Sequence, residues 1–154
     1  MRTNILILFT LLFFSVNAEN TSKIIYKSYV EKDMSTWKTK IDSLQKEKEV
    51  GHLSIASQWQ LLEYQYGYIA WAISKKKTMK READDYLEVA KVNLSDLVQL
   101  SGKTSLSNAY NAAFVAYEIG ITPFKAPFIG LKCMKYGETA IKQDSTNYFA
   151  LIQY

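Results

Sequence analysis

Residues that carry chemistry are scarce in this chain. Among 154 residues, Cys133 is the only cysteine and His52 the only histidine. One thiol excludes an internal disulfide, so stability has to come from packing. One imidazole and one thiol also leave no Ser-His-Asp or Cys-His set to assemble. His52 has only Glu47 and Glu49 near it in sequence, too few ligands for a metal site; it reads as a surface or helix-capping residue. No glycine-rich phosphate loop is present. Asp84 and Asp85 fall in the first turn of an expected helix, where they favour its positive end. Paired-carboxylate hydrolysis would instead need two acids converging on one cleft. The chain therefore reads as non-enzymatic, with no cofactor and no metal.

Long apolar runs are also missing, with one exception. Ile5 to Phe14 is almost unbroken hydrocarbon, but it is shorter than the roughly 20 residues that span a bilayer. It follows the positive start Met1-Arg2-Thr3-Asn4 and precedes Val16-Asn17-Ala18, small residues at the positions a signal peptidase reads. This predicts a signal peptide over 1–18, cleaved after Ala18, and a periplasmic or secreted protein. No cysteine stands directly after the apolar run, which argues against a lipoprotein. No later segment is long and apolar enough to predict a transmembrane helix.

Charge of one sign is modest. The formal net charge of +4 falls to +3 once Arg2 leaves with the signal. That excess is spread along the chain and makes no case for nucleic acid. Its one concentration, Lys75-Lys76-Lys77 with Lys80 and Arg81, falls in an expected turn. A solvated loop is one reading; an anionic lipid or an acidic partner is the other.

What the chain does have is helical periodicity. From about Lys23 to Lys48, Val30, Met34, Trp37, Ile41 and Leu44 draw one stripe, opposite Glu31, Lys32, Lys38 and Asp42. This predicts a single amphipathic helix within residues 19–52, ended by Gly51. Ser54 caps a second helix reaching Ser74. It carries two stripes, one through Trp59, Leu62, Tyr66 and Ile69, the other through Leu61, Tyr64, Tyr68 and Trp71. A helix apolar on two sides is either sandwiched between layers or lines a groove. A third helix, about Arg81 to Leu100, places Ala83, Leu87, Ala90, Leu94 and Leu97 on one face. A fourth begins at Ser105 or Ser107 and runs to Gly120.

The segment Ile121 to Gly130 holds both prolines of the chain, with Phe124 and Phe128 beside them. Proline disfavours helix at the preceding residue. The expectation is an extended, buried connector with its rings tucked under the helices; a ligand-contacting loop is the alternative. A fifth helix follows from about Leu131 to Lys142. Asp144 to Asn147 then forms a polar stop that supplies caps for a short last helix, Tyr148 to Tyr154.

Two patterns recur about fifty residues apart. Trp59-x2-Leu62-x3-Tyr66 is echoed by Tyr110-x2-Ala113-x3-Tyr117, and Ala83-x3-Leu87-x2-Ala90 by Cys133-x3-Gly137-x2-Ala140. Cys133 thus stands where the earlier copy has Ala83, as a small buried residue; a reactive thiol or an intermolecular bridge is the other reading. Large residues on the first helix and small ones on the second are the pattern of stacked hairpins. The fold class expected is all-α, a short right-handed solenoid in which residues 53–154 form two hairpins and a truncated final helix. Tyr148, Phe149, Leu151, Ile152 and Tyr154 have no following partner to cover them. Two expectations follow: a shortened member of a longer architecture, or self-association through the C-terminal end.

These residues resemble the tetratricopeptide repeat family. Trp59-Gln60-Leu61-Leu62-Glu63-Tyr64-Gln65-Tyr66 looks like its first-helix pattern, and Ala83-Asp84-Asp85-Tyr86-Leu87-Glu88-Val89-Ala90 like its second. Tyr136 to Asn147 resembles the repeat ending, with Ser145 in place of the usual proline. Tyr117 to Lys132 resembles a connector in exported tetratricopeptide-like proteins of Bacteroidetes-type bacteria. The hairpins recur near fifty residues, where the family uses about 34.

The resemblance implies a protein-interaction scaffold or adaptor whose first helices line the concave face. Tyr64, Tyr68 and Trp71 would then meet Asn111, Val115 and Glu118 to hold a protein or peptide. The alternative for those rings is packing against the N-terminal helix through Trp37 and Ile41. A second functional reading is a small-molecule carrier, with an aromatic pocket between the hairpins and the proline-phenylalanine segment.

Overall fold

The computed structural model describes residues 20–75 and 78–153. The expected signal segment, Lys76 and Lys77 of the basic cluster, and Tyr154 lie outside the described residues. Among the described residues the chain is all-α, with seven α-helices and no strand. No described helix is long and apolar enough to cross a membrane. The chain divides into two compact units between Ser57 and Gln58.

The first unit holds α1 (20–31) and α2 (Met34–Glu49). One continuous amphipathic helix was expected here, and the chain breaks it at Lys32. Lys32 takes φ 59°, the left-handed conformation of a helix C-cap. The Lys32 and Asp33 amides donate back to the Tyr29 and Ser28 carbonyls at 3.2 and 2.8 Å, the paired bonds of a Schellman ending. Asp33 then restarts the helix by accepting from the Thr36 amide at 3.1 Å, as an N-cap does. The break shifts the stripe. Met34, Trp37 and Ile41 are buried as the spacing predicts, whereas Val30, before the break, is exposed. Gly51, φ 76°, ends α2 the same way, with the His52 amide donating to the Glu47 carbonyl. Ser54 accepts from the Ser57 amide and opens α3 (Ile55–Ser74).

The second unit contains the rest of α3, then α4 (Lys80–Ser101), α5 (Ser105–Ile121), α6 (Ala126–Gln143) and α7 (Tyr148–Gln153). Its core joins Leu62, Ile69 and Ala72 of α3 to Ala83, Leu87, Ala90, Leu94 and Leu97 of α4, and to Tyr110 and Phe114 of α5. The fully buried Ala83 and Ala90 let α4 sit close to its neighbours, and the buried amides of Gln65 and Asn93 bond each other at 3.0 Å.

Thr104 starts α5 with a capping box: its hydroxyl accepts from the Ser107 amide while Ser107 accepts from the Thr104 amide. Helix α5 packs against α4, α6 and α7. Ala109, Ala140 and Ala150, one from each of α5, α6 and α7, meet where only small side chains fit. Around them Ser105 donates to the Ala140 carbonyl, Asn147 to Ser105, and Asn108 to Gln143, each at 2.8 Å.

The expected extended connector is helical. Pro123–Lys125 forms a 3-10 turn, and α6 begins at Ala126, five residues earlier than the sequence pattern suggests. Pro127 occupies the first turn of α6, where no intrahelical N–H bond is lost and the fixed φ suits a helix. Only Thr122 obeys the pre-proline rule, at φ −135°, ψ 79°; Ala126 is helical at φ −50°, ψ −45°. The rings are not tucked under anything: Phe124 and Phe128 are both exposed.

Candidate binding cleft

Aromatic side chains of α3, α5 and α7 meet in one cluster. Tyr66 stacks on Tyr117 with centroids 5.1 Å apart and planes 20° from parallel. Trp59 lies 6.0 Å from Tyr110. In both pairs the partners are the matching members of the repeated pattern. Phe149 closes the group edge-on to Tyr66 at 5.1 Å and 4.6 Å from Tyr110. The Tyr117 hydroxyl donates to the Tyr66 carbonyl at 3.4 Å, a long bond. Burial holds both Tyr117 and Tyr110 well above the usual phenol pKa. A bond to Tyr66 adds to this at Tyr117, and the Glu63 charge at Tyr110.

The cluster floors an open cleft of about 410 Å³ with a mostly apolar wall. Trp59, Tyr66, Tyr110, Phe149 and Leu106 supply the apolar surface, and Gln60 and Glu63 the polar groups. Glu63 is exposed. Chemically, the cleft can take an apolar side chain against the rings, with one carboxylate at hand for a cation.

The residues expected to bind a partner are arranged otherwise. Tyr64 and Val115 are buried, and Tyr68 is only 2% exposed. Tyr68 turns towards Trp71 and Tyr86, with centroids 5.3 and 5.0 Å away, and donates to the Glu82 carboxylate at 2.7 Å. Val115 lies on a helix with neighbours on several sides, which buries the flank the sequence left for a groove. These three offer no surface to a partner. Trp71, Asn111 and Glu118 are half-buried. Asn111 donates to the Ser107 carbonyl, and Glu118 takes Lys125 at 2.6 Å and Lys91 at 2.8 Å. Those ammonium groups, Lys125 first, hold the Glu118 carboxyl below its usual range. Burial opposes the charge of Lys91, but its bonds to Glu118 and Glu88 outweigh that and raise its pKa.

Of the stripe of α3 expected to bind, Leu61, Tyr64 and Tyr68 are buried and Trp71 is half-buried. The stripe through Trp59 and Tyr66, recognised for its repetition, carries the cleft. Phe124 and Phe128, expected to border a carrier pocket, are both exposed. Cys133 is half-buried; its thiol donates to the Ala112 carbonyl at 3.3 Å, and burial raises its pKa. Among the described residues no group of three metal-binding side chains converges. No family profile, no curated protein and no solved structure matches the chain.

Proposed function

We propose that this is a tetratricopeptide-like interaction module, non-enzymatic and exported to the cell envelope, that holds an apolar segment of a protein partner against α3, α5 and α7. On this reading α3 with α4 and α5 with α6 are successive hairpins of a short right-handed solenoid. One observation carries it: Trp59 and Tyr66 contact Tyr110 and Tyr117, their counterparts in the second copy of the pattern. Stacked repeats bring equivalent residues of neighbouring first helices together. The cleft beside these rings is open, which suits a peptide better than an enclosed small molecule. Rigid aromatic anchors give contact area with little rotamer loss, and Glu63 favours a basic residue beside the apolar one.

Selection from a random peptide library against the purified protein tests this. The expected ligands combine an aromatic or branched aliphatic residue with a nearby lysine or arginine. Their binding should be lost in Leu106→Arg and weakened in Glu63→Lys. Ligands indifferent to both substitutions, or no ligands at all, would refute the proposal.

A further inference from the structure

The outer face of α6 has a composition that the cleft does not explain. Phe124, Phe128 and Leu131 are 76%, 82% and 71% exposed. Phe128 and Leu131, three residues apart in α6, share one side of the helix, and Phe124 is exposed in the 3-10 turn that leads into it. That side lies opposite the one on which Gly137 and Ala140 are buried. Lys132, Lys135 and Lys142 are exposed on the same outer side. From Thr122 to Gln143 the chain has four lysines and a single acid, Glu138. Lys125 is held by Glu118, and Lys132 lies over the Tyr136 ring at 5.8 Å. Among the described residues no carboxylate pairs with Lys132, Lys135 or Lys142.

We infer that this face docks on an anionic lipid surface, with Phe124, Phe128 and Leu131 entering the headgroup boundary and the lysines lying against phosphates. Exposed rings beside an excess of lysine favour an anionic lipid surface. The rings stand on the convex back of a helix, and a soft surface can close around a protruding ring on all sides. The charge decides against a second copy. A two-fold contact through this face would bring the same lysines together. Stable attachment to a bilayer takes two signals, and apolar insertion with a basic patch is such a pair. Lysines near an anionic leaflet attract it within a Debye length, so the attachment is sensitive to salt.

The test is co-sedimentation of the purified protein with vesicles of phosphatidylcholine alone and of phosphatidylcholine with phosphatidylglycerol. Wild type should bind the anionic vesicles preferentially, and added salt should release it. Phe124→Ser with Phe128→Ser should weaken binding on the order of tenfold or more, from the apolar area withdrawn. Lys132→Glu with Lys135→Glu should weaken it by at least about 25-fold, given roughly fivefold per lysine. All variants share one N-terminus, so attachment through the first residues cannot produce these differences. Thermal melts should be unchanged, because all four side chains are exposed or nearly so. Equal binding to both vesicle types, or binding that neither pair alters, overturns the inference. A dimer by light scattering that the phenylalanine pair abolishes would assign the face to a second copy instead. Peptide ligands lost with the same pair would assign it to a protein partner.

Discussion

Alkaline pH offers a direct probe of the aromatic cluster. Tyr110 and Tyr117 are held neutral chiefly by burial, so their folded pKa values lie above the ordinary phenol value of about 10. A group whose folded pKa is raised contributes stability that is complete below the unfolded pKa. That stability is lost as pH climbs towards the folded value. With the unfolded phenol at about 10, each tyrosine withdraws about 1.4 kcal/mol by pH ~11, and the pair close to 3 kcal/mol. A domain of ordinary stability has only about 5–15 kcal/mol to lose. Replacing both residues with phenylalanine keeps the rings and removes the titration. The cost at neutral pH should be about 1–2 kcal/mol, because Tyr117 gives up its hydrogen bonding to Tyr66, of which the bond to the carbonyl is long at 3.4 Å. Urea unfolding followed by far-ultraviolet circular dichroism, at pH ~8 and pH ~11, measures the difference. Wild type should lose about 3 kcal/mol more than the double variant between these conditions. Parallel losses would mean that the two phenols are solvated, and that the packing of α3, α5 and α7 described above is wrong.

Four further outcomes are expected. Leu87→Ala, in the fully buried centre of the second unit, should lower stability by about 2–5 kcal/mol in urea; a loss under about 1 kcal/mol would unseat α4 from the core. Gly51→Ala should cost about 1 kcal/mol through φ alone, since an added Cβ meets nothing within 4 Å, while Lys32→Gly should gain a similar amount; equal melting points for all three proteins would deny both caps. Glu118 has a folded pKa below its unfolded one, so it contributes stability above the ordinary carboxylate pKa and loses it as pH falls through the folded value. Glu118→Gln should remove that acid-side dependence and cost no more than about 1 kcal/mol near neutrality, because solvent screens the Lys91 and Lys125 pairs; an unchanged acid limb in urea titrations would contradict this. N-terminal sequencing of the protein recovered from its native cells should begin at Glu19, and an intact Met1 would rule out the proposed export and cleavage.

The all-α class and most helix positions were legible in the one-dimensional pattern, since an apolar stripe at helical spacing has to be covered by something. Helices α3, α4 and α5 start and stop within a residue or two of where caps and periodicity put them. The recurrence of Trp59–Tyr66 in Tyr110–Tyr117 was legible as well, though not that the four rings meet. Three things were decided only in three dimensions. At Lys32 a non-glycine residue adopts positive φ, and periodicity carries across such a break without trace. The prolines at 123 and 127 start helical structure, because a proline's effect depends on which turn it occupies and not on its presence. Periodicity reports that a face is apolar but not whether a neighbour arrives to cover it. Tyr64, Tyr68 and Val115 became interior, Phe124 and Phe128 became surface, and that allocation belongs to the packing of helices distant in sequence.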